Sequence, residues 1–142
     1  MNKYMNLALK ESKKAFISND IPVGAVIVKN NKVIAKAYNK KNKSNLIIDH
    51  AEIIAITKAN KKINNWRLDD CDIYVTLFPC PMCASAIKQS RIKNVYYCIK
   101  QTDLKLEKDS LNILDGINLI YLDNYKDAEN TFNDFFKKIR NK

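Results

Sequence analysis

From residue 72 onward the chain alternates between runs that suit strands and runs that suit helices. That alternation points to a layered α/β fold. DIYVTL (72–77) is rich in β-branched residues and reads as a buried strand. Cys80 to Gln89 reads as a helix, with Pro79 and Pro81 near its start, where proline is tolerated. NVYYCI (94–99) is a further strand, and residues 110–115 read as a short helix stopped by Gly116. INLIYL (117–122) follows as a strand, and Lys126 to Arg140 as a closing amphipathic helix. Earlier, VGAVIVK (23–29) and KVIAKAY (32–38) alternate well enough for two strands. Asn30 and Asn31 between them tolerate positive φ, which predicts a tight hairpin. MNKYMNLALKESKKAF opens the chain as an amphipathic helix with Met5, Ala8, Leu9 and Phe16 on one side. A polar loop, NKKNKSN, leads to another helix from His50 to about Lys61. The 142 residues, 46% of them hydrophobic, contain no repeat or low-complexity linker, so one domain over 1–142 is expected.

No apolar run approaches the roughly 20 residues that cross a bilayer. Charged residues interrupt the N-terminal stretch where a signal peptide would need an apolar core. The expected location is the cytoplasm, where Cys71, Cys80, Cys83 and Cys98 stay reduced. A close cysteine pair there means metal or catalysis more often than a disulfide. The charge is lopsided: Lys and Arg number 25 against 15 acidic residues, a net +10. The excess gathers in Lys29 to Lys43 and in the tail Lys137, Lys138, Arg140 and Lys142. A polyanionic partner such as RNA would explain this, set against the plainer reading of a solvated basic surface.

Two thiols three positions apart, Cys80 and Cys83, share one face of a helix start. The positive end of the helix dipole favours thiolates there. The chain has a single histidine, His50, and it too stands where a helix should begin. His50, Cys80 and Cys83 brought to one point would make a three-ligand zinc site. Such a site keeps one position open to solvent, which marks catalysis rather than scaffolding. Two residues beyond the histidine stands Glu52, a carboxylate suited to moving protons there. A redox reading of the two thiols leaves His50 and Glu52 idle. A closed structural site needs a fourth ligand. Cys71 and Cys98 are candidates, but each belongs to an apolar strand region and reads better as a small buried residue. H-x-E followed by P-C-x-x-C is the signature of zinc deaminases.

These motifs sit in a longer set of matches: IPVGAVIV (21–28), Asn39 in AYN, HAEIIA (50–55), NWRL (65–68), the block from YVTL through PCPMCASAI to SRI, and NDFFKKIR (133–140). The sequence resembles the bacterial tRNA adenosine deaminases of the cytidine-deaminase superfamily. The resemblance implies a three-layer α/β/α fold with a five-stranded mixed sheet, a homodimer, and one Zn2+ per subunit. It also implies conversion of adenosine to inosine at the wobble position of a tRNA anticodon stem-loop. It makes His50, Cys80 and Cys83 the zinc ligands and Glu52 the proton shuttle. Asn39 would hydrogen-bond the target base, and Ile21, Pro22 and Val23 would form the pocket wall. Phe135, Phe136 and Lys137 would help to hold the anticodon loop.

The chain departs from that family in two places. Phe78 stands where the family usually has Glu. The stretch KQTDLKLEKDS lacks the family's glycine-rich loop and its Asp-x-Lys. Gln101 takes the aspartate's place in an ungapped alignment, whereas Asp103 and Lys105 restore the motif after a two-residue shift. The departures leave room for a deaminase of a free nucleobase or nucleotide such as guanine. A non-catalytic zinc-bearing RNA-binding subunit is a third reading, disfavoured by Glu52.

Overall fold

The computed structural model describes residues 2–140, with Arg140 described by its backbone alone; Lys142 of the basic tail lies outside the described residues. The elements run α1 (Lys3–Ile17), β1 (Gly24–Lys29), β2 (Lys32–Tyr38), α2 (Lys41–Ser44), α3 (Ala51–Ile63), β3 (Cys71–Leu77), α4 (Pro81–Gln89), β4 (Asn94–Ile99), α5 (Leu104–Ile113), β5 (Asn118–Tyr121) and α6 (Lys126–Arg140). One five-stranded mixed sheet has the order β2-β1-β3-β4-β5. β1 pairs antiparallel with β2 and β3, while the β3–β4 and β4–β5 pairs are parallel. Parallel neighbours need a crossover, and α4 and α5 supply the two here. Both crossovers step across the sheet in the same direction. Right-handedness therefore puts the two helices on one face, where they pack together.

The expected hairpin is present: Asn30 and Asn31 both take positive φ, 50° and 62°, as a two-residue turn of this hand requires. Asparagine also takes the left-handed conformation at Asn19, Asn45 and Asn64, near the ends of α1, α2 and α3. These positions bend the chain where glycine is absent. The sheet core is largely apolar. Val26, Ile27, Ile73, Val75 and Val95 are fully buried, covered by Met5 and Ala8 of α1 and by Ala55, Ala59 and Ile87 of α3 and α4.

Three local expectations are corrected. The first concerns α1, which buries Met5, Ala8, Glu11, Ser12 and Ala15; Leu9 packs half-buried against the same core, as expected, but Phe16 does not. Its inner face is narrow because β1 approaches closely at Gly24. A Cβ there would stand 1.9 Å from the Ala8 carbonyl oxygen and 2.7 Å from the Ser12 nitrogen. Phe16 instead turns to α6 and meets Phe135 edge-on at 5.9 Å. The second concerns the loop 39–45, which contains the one-turn α2. The buried carboxylate of Asp20 secures it by accepting the Asn42 and Lys43 N–H groups. The third concerns the helix expected at 110–115, which begins at Leu104. Asp103 caps it, accepting the N–H groups of Lys105 and Leu106. Among the described residues no helix is long and apolar enough to cross a membrane.

Candidate metal centre and pocket

Strand register gathers the site. Gly24 at the start of β1 pairs with Tyr38 at the end of β2, and Ala25 pairs with Val75 near the end of β3. Leu77 at the end of β3 pairs with Ile99 at the end of β4. The segments just before β1 and just after β2, β3 and β4 therefore share one edge of the sheet. His50 and Cys80 occupy the N-cap positions of α3 and α4, both with extended backbone, and neither side chain caps its own helix. Cys83 lies one turn into α4, fully buried. His50 Nδ1 stands 3.7 Å from Cys80 Sγ and 3.6 Å from Cys83 Sγ. The three donor atoms all lie within 4.8 Å of one another.

Bonds of ~2.3 Å to sulfur and ~2.0 Å to nitrogen at tetrahedral angles put sulfur about 3.5 Å from nitrogen. The donor set and its spacing thus fit a zinc ion. Among the described residues no fourth metal-ligating side chain joins the cluster. Cys71 is buried at the far end of β3, and Cys98 reaches the Thr76 carbonyl oxygen at 3.4 Å. Both behave as small core residues.

The protonation pattern follows from crowding. Cys80 is pulled down to about 4, first by a hydrogen bond from Cys83 and further by the imidazole of His50. Cys83 is pushed up, because its proton is shared with the Cys80 sulfur and because it is buried. The bond to Cys80 raises His50. Burial raises Glu52 to about 7; its side chain is 4% exposed in the first turn of α3. One sulfur ionises readily and its neighbour does not, as expected of two thiols whose shared negative charge calls for a cation.

A pocket of about 600 Å³ opens over this cluster. Its lining includes Ile21, Val23, Asn39, His50, Glu52 and Cys80, all singled out by sequence. Asn39 is buried. Its Oδ1 accepts the Ala51 N–H at 2.7 Å, and its own backbone N–H donates to the Val23 carbonyl at 3.1 Å. Because a backbone N–H can only donate, the oxygen of the amide is identified and the Nδ2 donor is left for a ligand. Phe78 also lines the pocket, with its ring edge-on to Tyr97 at 5.0 Å, so this part of the wall is apolar. Gln101 and Thr102 complete that side. Asp103 is engaged in capping α5, and Lys105 pairs with Asp109 at 3.1 Å.

Pro22, expected at the pocket wall, does not line the pocket. Pro22 is buried behind the wall and borders a separate small hollow with Leu9, Ser12 and Ala128. Phe135 is 2% exposed; it packs on Phe16 and lines a different hollow with Asp20 and Lys41. Lys137 is exposed, and Phe136 does line the pocket. Sequence reasoning missed Phe132 and Ile139. Their spacing with Phe136, four and then three residues, makes one stripe along α6, a signal that helical periodicity contains and motif matching passes over.

The chain matches the model of the cytidine and deoxycytidylate deaminase zinc-binding region over residues 1–99. A tRNA-specific adenosine deaminase of Rickettsia bellii is 52% identical over 95 residues, 66% of each chain, so the match spans just under two thirds of that relative. One from Aquifex aeolicus is 36% identical over 143 residues, 97% of this chain and 95% of its own. Among solved structures, a tRNA:A34 deaminase superposes with a TM-score of 0.77 at 32% identity, covering 84% of this chain and 96% of its own. Guanine deaminase from Bacillus subtilis superposes with a TM-score of 0.68 at 30% identity, covering 96% and 95%. With His50, Cys80 and Cys83 gathered at the shared edge of the sheet, the chain belongs to the cytidine and deoxycytidylate deaminase family, on the branch of the tRNA-specific adenosine deaminases.

Proposed function

We propose that this chain converts adenosine to inosine at the wobble position of a tRNA anticodon loop. The observation that carries the reading is the convergence of His50, Cys80 and Cys83 beside the buried Glu52 at the floor of a pocket that also presents the Asn39 amide. The three ligands would hold zinc. When bound, zinc supplies a Lewis acid that lowers the pKa of water from ~15.7 toward ~7. Glu52 takes a proton from the attacking water and passes it to ring N1 as oxygen adds at C6. It then carries the remaining proton of the new C6 hydroxyl to the departing amino group; the C6–N bond breaks as the C6 carbonyl forms, and ammonia leaves. The Asn39 Nδ2 donor meets an acceptor on the base, while Ile21, Val23 and Phe136 shape the walls.

RNA as the substrate is supported by the names of the relatives, by the +10 charge and by lysines gathered around Tyr38, the residue before the pocket-lining Asn39. Lys14, Lys40 and Lys43 hold their ammonium groups 4.9–6.0 Å from the Tyr38 ring centroid. Drawing a base out of its stack costs about a few kcal/mol, which basic contacts to phosphate help offset. A tRNA substrate goes with a cytoplasmic location. A homodimer is supported by an apolar hollow of Ile48, Ile53, Trp66 and Met82, in which Ile48 and Trp66 are more than half exposed. Light scattering should then give twice the 16.4 kDa chain mass; a monomer at micromolar concentration contradicts it.

The second reading, guanine deamination, is favoured by the similarity to the Bacillus subtilis enzyme and by the apolar Phe78 wall. Mass analysis of products decides between the two. The protein is incubated separately with an ACG-anticodon tRNA and with free guanine, cytosine and adenosine. Inosine at the wobble position is expected; xanthine from guanine with intact tRNA overturns the proposal.

A further inference from the structure

The peptide that carries Cys80 has few anchors of its own. Pro79 and Pro81 flank the cysteine and neither has an N–H to donate. The Cys80 carbonyl is occupied inside α4, accepting the Ala84 N–H at 2.8 Å. Upstream, the Phe78 N–H ties back to the Ile99 carbonyl at 2.9 Å. Between these two ties lies the Pro79 carbonyl. It accepts a hydrogen bond from the Ser110 hydroxyl at 2.8 Å, in an environment where Ser110 is 0% exposed. Ser110 is 31 residues away in sequence and belongs to α5, which packs on α4. Among the described residues it is the buried polar side chain of α5.

We infer that Ser110 is a positioning residue for the metal centre: its hydroxyl fixes the Pro79–Cys80 peptide and thereby the direction of the Cys80 sulfur. A fully buried carbonyl needs its donor. Without it, the two-proline segment turns to find another partner, and Cys80 moves with it. The 3.6–3.7 Å spacing of the sulfurs from His50 Nδ1 leaves little tolerance for such movement. Groups one step removed from a metal typically govern its affinity by 10- to 100-fold. The inference rests on the zinc reading above.

The test compares wild type with Ser110→Ala and with Ser90→Ala. Ser90 lies at the other end of α4, and its hydroxyl donates to the Ala86 carbonyl at 2.7 Å. It therefore controls for losing a hydroxyl–carbonyl bond on the same helix. Zinc affinity is read by chelator competition, and ligand geometry by the absorption bands of the cobalt-substituted protein. Ser110→Ala should bind zinc about 10- to 100-fold more weakly and shift the cobalt bands, while Ser90→Ala keeps wild-type values. Folded Ser110→Ala with wild-type affinity and bands overturns the inference, as does an equal loss in both variants. Should Ser110→Ala fail to fold, Ser110→Cys replaces it, because a thiol is a weaker donor of similar size. It should bind zinc with intermediate affinity, its cobalt charge-transfer intensity checking that the added sulfur is not a ligand; wild-type affinity in that variant overturns the inference. Absence of zinc from the wild-type protein would instead sink the functional reading itself.

Discussion

The amide of Asn39 anchors the start of α3 through its oxygen and leaves its nitrogen facing the chemistry of the pocket. The two tasks can be separated. Asn39→Asp keeps an acceptor for the Ala51 N–H but exchanges the Nδ2 donor for an anionic oxygen. Its melting temperature should stay near wild type while kcat/KM falls about 10- to 100-fold, the effect of an unmade hydrogen bond of ~1–3 kcal/mol. A variant that loses stability and keeps kcat/KM would assign Asn39 to the fold alone. Glu52 allows a sharper test. Glu52→Gln preserves shape in its buried niche but removes proton transfer, so kcat should drop about 10²–10⁴-fold. Zinc content, measured by metal analysis, should remain about one per chain; retained turnover removes the proton-shuttle role. At this scale the sequence was informative, because His50, Glu52, Cys80 and Cys83 are chemically rare groups at fixed spacing. The indistinct residues were Phe132 and Ile139, ordinary apolar side chains whose place at the pocket depends on how α6 lies against the sheet.

Among the elements, strands were legible because each carries a continuous buried or alternating apolar run between polar turns. α6 was legible for the same reason in helical period. The N-terminal half of α5 was not. Leu104, Leu106 and Leu111 are exposed and only Ser110 is buried within the helix, so its sequence has no apolar stripe to read. What defines its start is the Asp103 cap, a local polar signal easily taken for a loop. α1 misled in another way. Its inner face is set by the Gly24 backbone and admits Ser12 and the Lys14-paired Glu11 rather than Phe16. The close approach of α1 and β1 predicts that Gly24→Ala is costly. No flexible side chain can yield, since the atoms met are helix backbone. The expected loss is on the order of 3 kcal/mol or more, read as a lower urea midpoint with unchanged slope. An unchanged midpoint would show that α1 lies farther from β1 in solution.

For the molecule as a whole, the mixed sheet brings the start of β1 and the ends of β2, β3 and β4 to one edge, and the amino ends of α3 and α4 meet there. The candidate site is thus confined to one rim, and the lysines around Tyr38 stand at the same end of β2. If that basic rim engages RNA, affinity should weaken with salt at a log–log slope of about 0.7 per phosphate neutralised. Titration of a fluorescent anticodon stem-loop across salt concentrations measures it, and a flat response favours a small neutral substrate. Which side chains meet the nucleic acid was the least legible part. The excess charge gathers in two stretches of the sequence, but only folding brings Lys14 of α1 beside Lys40 and Lys43 on one surface.

The left-handed asparagines have a consequence for how such a chain tolerates change. Asn19, Asn30, Asn31, Asn45 and Asn64 reverse or release the backbone in a sequence holding two glycines. An amide side chain accepts that conformation at modest steric expense and restricts the denatured ensemble more than a bare hydrogen would. A relative with glycine at these five places would trace the same bends from a looser starting coil. Handedness at the corners, rather than glycine content, is therefore the quantity this architecture must preserve.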